Sequence, residues 1–201
     1  MELRGLFSRK EVEFILILAL AGILLYISGL DYALADMLGQ RTPTGLSLFV
    51  SSWYYVAFEI SAFCYLWVKN RRAFASLLAS SILLYVMQVA ITEIHARERP
   101  AEAMQIGGQL MDLIYRTGAS SSFFSGHAAT VAAACTMFLI IGARPFLVLF
   151  LALPIFISRL TLVQHYPSDV AYGIVFGYVT AKIVHALISG MYAGRVLTKV
   201  K

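Results

Sequence analysis

The chain has 201 residues, 60% of them apolar and only 13% charged, with a formal net charge of +5. So apolar a composition excludes an ordinary soluble domain and points to a chain embedded in a membrane. The basic excess sits at the ends of apolar runs, which makes it a topology signal and not a nucleic-acid patch.

A crossing of a hydrocarbon core about 30 Å thick takes roughly 18 or more apolar residues. Six runs meet that requirement, at 12–30, 44–68, 73–91, 127–143, 145–163 and 168–189. They leave little chain for anything else. The expected fold is therefore all-α, one integral bundle of six transmembrane helices over residues 1–201. The first run is too long for a signal-peptide core and no small-x-small cleavage site follows it, so it is expected to stay as a helix. In the second run, Trp53 and Trp67 approach the two ends and suit interfacial anchoring, while Glu59 is expected to face the bundle. Cys64 and Cys135 fall inside spans, where they act as small apolar residues. Lys182 and His185, toward the inner end of the sixth run, are expected to snorkel or pair.

The charges set an orientation. Arg4, Arg9 and Lys10 precede the first run, and Lys69, Arg71 and Arg72 join the second to the third. Arg144 joins the fourth to the fifth, and Arg195, Lys199 and Lys201 follow the sixth. With six crossings these ten share one side, against Arg41, Arg97, Arg99, Arg116 and Arg159 on the other. The positive-inside rule puts both termini in the cytoplasm of a multi-pass plasma-membrane protein.

The outward side nevertheless holds the improbable residues, in three stretches at the ends of spans. "ITEIHARERP" (91–100) closes the third span: Pro100 halts the helix, and Arg99 offers a planar fork matched to phosphate oxygens. After it, the segment 101–117 has apolar residues at helical spacing and suits a short amphipathic helix in the outer interface. "SSFFSGHA" (121–128) opens the fourth span. There Gly126 lets helix N-terminal amides approach an anion, Ser125 adds a hydroxyl, and His127 adds a titratable group suited to protonating a leaving oxygen. "SRLTLVQHYPSD" (158–169) joins the fifth and sixth spans. His165 and Asp169 are four residues apart, a spacing that would let the carboxylate accept a hydrogen bond from one imidazole nitrogen and make the other more nucleophilic. Polar groups at one membrane depth can converge when helices bundle, and such a cluster is a functional-site hypothesis. Two arginines, a helix N-terminus, a carboxylate-supported histidine and a second histidine meet the needs of phosphoryl transfer through a phosphohistidine. No Walker loop or Cys/His ligand spacing is present, so no metal is expected.

These stretches resemble the type-2 phosphatidic acid phosphatase superfamily, with its motifs Lys-x6-Arg-Pro, Pro-Ser-Gly-His and Ser-Arg-x5-His-x3-Asp. Ser158, Arg159, His165 and Asp169 match the third in full. Ser125, Gly126 and His127 match the second, with Phe124 at the proline. Arg99 and Pro100 match the first, with Thr92 at the lysine. The resemblance implies His165 as nucleophile oriented by Asp169, and His127 as general acid. Arg99, Arg159, Ser125 and the Gly126 amide would hold the phosphate, without metal or cofactor. It implies a lipid phosphate or diphosphate as substrate, with isoprenoid diphosphate, phosphatidylglycerophosphate and phosphatidate as candidates. The alternatives are a lipid phosphotransferase using the same site and a non-catalytic lipid-binding protein. Thr92 is the departure that matters: it lies two helical turns before Arg99 on nearly the same face, and His95 or Arg97 could stand in for the absent lysine.

Overall fold

Ser8 starts the first helix by a reciprocal cap. Its hydroxyl accepts from the Glu11 amide at 3.3 Å, and the Glu11 carboxylate accepts from the Ser8 amide at 2.7 Å. This computed structural model describes residues 6–41, 44–103 and 121–199. Helix α1 (Arg9–Ser28) ends at Gly29, whose φ of +75° is open to glycine at no steric cost, and α2 (Leu30–Arg41) follows at once. Helix α3 (Thr44–Phe49) runs through a π-helical turn (Val50–Tyr54) into α4 (Tyr55–Lys69). The Asn70 carboxamide caps α5 (Arg71–Ile94) by accepting from the Arg72 and Ala73 amides. A short α6 (Pro100–Ala103), α7 (Gly126–Ile140), α8 (Pro145–Thr161) and α9 (Pro167–Lys199) complete the order. No strand occurs among the described residues.

Among the described residues, four stretches are long and apolar enough to cross a membrane: Arg9–Ser28, Gly45–Lys69, Arg71–Ile94 and Pro167–Met191. The other two expected crossings are shorter than the apolar runs suggested. Helix α7 has 15 residues and α8 has 17, which is about 22 and 26 Å of helix. Both are cut by turns inside apolar sequence, at Gly142 (φ +88°) and at Val163 (φ +54°). Helix α2 occupies what the sequence left as a plain connection. Of the amphipathic helix expected at 101–117, only the first three residues are described, within α6; the rest lies outside the described residues.

The polarity of the bundle is that of a protein dissolved in lipid. Leu16, Ile17, Leu20, Leu24 and Ile27 of α1 are exposed, as are Phe146, Phe150 and Ile157 of α8. The interior instead buries serines, Arg159, His165 and Asp169. With lipid outside, helices gain little from hiding apolar surface, so they associate through close packing of small residues. Helix α9 packs most extensively on α7, and also on α5 and α1. Ala128, Ala129, Ala132, Ala133 and Ala134 of α7 are buried. Gly173 and Gly177 of α9 face them: a Cβ at Gly173 would stand 2.6 Å from the Ser125 carbonyl, and one at Gly177 would collide with the Ala129 carbonyl.

Contacts along α9 separate two ends. Ser168 meets Asp31, whereas Lys182, about 21 Å further along the axis, meets the Glu11 carboxylate at 2.9 Å. His185 bonds Ser76 of the first turns of α5 at 3.0 Å. Arg9, Lys10 and the Lys69–Arg72 junction therefore lie at one end of the bundle. The three polar stretches lie at the other. Lys182 and His185 do pair, and Glu59 points inward at Thr130.

Candidate active site

Four helix ends build the site: the end of α5, the start of α7, the end of α8 and the start of α9. Backbone bonds stitch their connections together. The Ser122 amide donates to the Arg97 carbonyl at 2.8 Å, the Ala101 amide to Val163 at 3.0 Å, and the Ser125 amide to Asp169 at 3.1 Å. The Ser121 hydroxyl bridges the same region, donating to the His95 carbonyl at 2.9 Å and accepting from the Arg97 amide at 3.0 Å.

His165 is 3% exposed, and its Nδ1 lies 2.7 Å from the Ser122 carbonyl. A carbonyl only accepts, so Nδ1 carries the proton and Nε2 keeps a lone pair. Burial holds the imidazole well below the usual histidine range, reinforced by the guanidiniums of Arg159 and Arg99. The ring is neutral at neutral pH. His127 acts on it electrostatically as well, so His165, His127, Arg99 and Arg159 are brought into one neighbourhood.

Asp169 is placed differently from the expectation. The group in contact with the His165 imidazole is the Ser122 carbonyl, and the Asp169 side chain bonds Ser122 itself. The four-residue relation needed His165 to be helical, but α9 begins at Pro167 and residues 162–166 form a turn. From the first helical turn, Asp169 accepts from the Tyr166 amide at 2.9 Å and pairs with Arg97 at 2.6 Å.

Arg97 does not stand in for the absent lysine either. One of its terminal nitrogens donates to Asp169 and to the Ser168 hydroxyl (2.8 Å), the other to Asp31 at 2.8 Å. Its guanidinium also lies 3.9 Å from the Tyr166 ring centroid and 4.8 Å from that of Tyr26. Asp31 in turn accepts from the Ser168 amide at 2.9 Å and from its hydroxyl. One cation and two carboxylates thus tie α2, the α5–α6 connection and the start of α9 together. His95 is exposed with its ring edge against Phe123, and Thr92 is half-buried in the last turn of α5.

Arg159 is 4% exposed and donates to the Ser51 hydroxyl and the Gln164 side-chain carbonyl. Arg99 is half-buried, its amide donating to Glu102 at 3.2 Å. Ser125 is fully buried and caps α7, accepting from the Ala128 amide at 3.4 Å. A Cβ at Gly126 would meet the Gln88 carboxamide, the mobile end of a side chain that would have to move aside. His127, in the first turn of α7, stacks on Tyr55 with ring centroids 4.0 Å apart. Among the described residues, no three of His, Cys, Asp or Glu gather as metal ligands do. Sequence reading missed Asp31, Ser51, Tyr55, Gln164 and Ser122. A signal for two of them existed: Ser47, Ser51, Tyr55 and Glu59 form a polar file, four residues apart, inside an apolar run.

The arrangement defines a class, a helical membrane protein with histidines and arginines gathered at one end of its bundle. The family model of the PAP2 superfamily matches residues 12–191. The chain belongs to the PAP2 superfamily and, with its spanning helices, is a multi-pass membrane phosphatase of that family. Among solved structures it is similar to a transmembrane PAP2-type phosphatidylglycerolphosphate phosphatase from Bacillus subtilis. The TM-score is 0.58 at 19% identity, covering 91% of this chain and 94% of that one, a likeness of fold. No curated protein sequence matches the chain.

Proposed function

We propose that the protein dephosphorylates lipid phosphates or diphosphates through a phosphohistidine on His165, at the outer face of a plasma membrane it crosses six times. The observation that carries this reading is the tautomer of His165. With Nδ1–H tied to Ser122, the Nε2 lone pair is available to attack phosphorus. Arg99 and Arg159 meet the charge that develops on the equatorial oxygens, aided by the amides at the start of α7. As the P–O bond breaks, His127 gives its proton to the departing oxygen. His127 then takes a proton from a water that attacks the phosphohistidine, which releases phosphate and restores His165. Asp169 supports this site as part of the Arg97 clamp, not through the imidazole. Each step closes without a metal. The substrate class is a membrane lipid with a terminal phosphate, and isoprenoid diphosphate is the member proposed.

The protein purified in detergent should release phosphate from isoprenyl diphosphate, phosphatidylglycerophosphate or phosphatidate in the presence of a chelator. Release from none of the three would refute hydrolysis, and transfer to an added lipid alcohol in its place would point to a phosphotransferase. The orientation has its own check. The end holding Arg9 and the Lys69–Arg72 junction is assigned to the cytoplasm, so a cysteine introduced at Asn70 should resist an impermeant maleimide in intact cells. Labelling there without permeabilisation would reverse the assignment.

A further inference from the structure

The run from α3 through the π-helical turn into α4 carries a feature the mechanism above does not use. Ser47, Ser51, Tyr55 and Glu59 recur every fourth residue. In a regular α-helix each such step overshoots by about 40°, so the file would wind off its face within three steps. The π-helical turn at Val50–Tyr54 intervenes, and the Tyr55 amide donates back to the Val50 carbonyl, five residues earlier. A π turn closes a longer loop, so each residue advances less around the axis and part of the overshoot is taken back. The file stays turned toward α7 and α8. Ser47 accepts from Thr161 at 2.8 Å, Ser51 from Arg159, and the Tyr55 hydroxyl meets Thr130 at 3.1 Å.

Tyr55 is held at both edges. Its ring lies against His127 at 4.0 Å between centroids, tilted by 36°. The Thr130 hydroxyl also lies 3.3 Å from the His127 carbonyl, which it reaches as a donor, and in its contact with the Tyr55 phenol either oxygen can donate. Through one hydroxyl the phenol is tied to the backbone of the residue its ring covers. An aromatic face restricts the rotamers of the imidazole and favours its protonated form over the neutral one. Both effects serve a proton donor.

We propose that Tyr55, delivered by the π turn, is a positioning residue for His127 and sets the enzyme's capacity to expel poor, aliphatic leaving groups of the kind lipids carry. This rests on the reading of His127 as the acid. Proton donation governs the rate when the leaving oxygen is strongly basic and matters little when it is weakly basic. The measurement is the ratio of turnover on octyl phosphate to turnover on 4-nitrophenyl phosphate, for the full-length protein in one detergent. Partial misfolding scales both activities alike and leaves the ratio untouched.

Tyr55→Leu should lower the ratio by about tenfold, while Tyr55→Phe, which keeps the ring, should hold it within about twofold. A ratio unchanged in Tyr55→Leu, or lowered as far in Tyr55→Phe, overturns the proposal. His127→Ala is the reference and should lower the ratio at least as far as Tyr55→Leu. If His127→Ala shifts the ratio and Tyr55→Leu does not, only the role of Tyr55 fails. If His127→Ala leaves it unchanged, the acid assignment falls and the role of Tyr55 with it.

Discussion

Replacing His165 with alanine should abolish the phosphoenzyme and lower turnover on the order of 10⁴-fold or more, the scale on which nucleophile deletions act. The imidazole lies within electrostatic reach of two guanidiniums, and its protonated nitrogen is already held by Ser122. Truncation removes the lone pair that attacks and one hydrogen bond to a backbone carbonyl, the latter a stability loss of about 1 kcal/mol. The variant should therefore fold and bind but not react. Labelling with a radioactive substrate, quenched in alkaline detergent, distinguishes the cases, because a phosphoramidate is labile to acid and stable to alkali. An acid-labile phosphoenzyme persisting in His165→Ala would move the nucleophile to another residue.

The second large effect belongs to Arg97. Its guanidinium is 13% exposed and faces carboxylates that are 4% and 0% exposed. Arg97→Met would leave Asp31 and Asp169 buried without their cation, and breaking a buried pair from one side costs about 3–5 kcal/mol. That is a large share of the stability of a domain this size. The melting temperature in detergent should drop sharply. Adding Asp31→Asn should recover part of the loss, since one uncompensated charge is then gone. A substrate-side role makes the opposite forecast. If Arg97→Met melts like wild type and shows only a raised Michaelis constant, the residue serves the phosphate after all and the clamp is decorative.

The two residues differ in how far they could be read beforehand. His165, Arg159, Arg99 and His127 stood out because charge and imidazole inside apolar sequence have few reasons to be there, and all four come to one end of the bundle. The Arg97 clamp was not legible because its partner Asp31 is 66 residues earlier, in a connection whose helix α2 no periodicity announced. Asp169 was misread through a boundary: spacing of four means adjacency only inside a helix, and Pro167 starts the helix two residues after His165. The same holds for span lengths. Gly142 and Val163 turn the chain within residues as apolar as the helices they end, so counting apolar residues overran α7 and α8. The π turn has no composition of its own; only the straight file of Ser47, Ser51, Tyr55 and Glu59 betrays it.

The shortness of α8 has a physical outcome outside the protein. Its outward side chains, among them Phe146, Phe150 and Ile157, lie on a helix about 26 Å long, whereas the apolar run 73–91 of α5 offers acyl chains about 28 Å. A bilayer with a core near 30 Å matches α5 and overreaches α8, so if α8 crosses it the bilayer must thin beside that helix or the bundle must lean. The reacting end of α8 carries Arg159. Under the proposed orientation, thinning along that flank would lower the outer leaflet's headgroups toward the Arg159 guanidinium. On the proposed function, turnover would then follow the host membrane's thickness, and vesicles of graded acyl length would act on it much as an effector acts on a soluble enzyme.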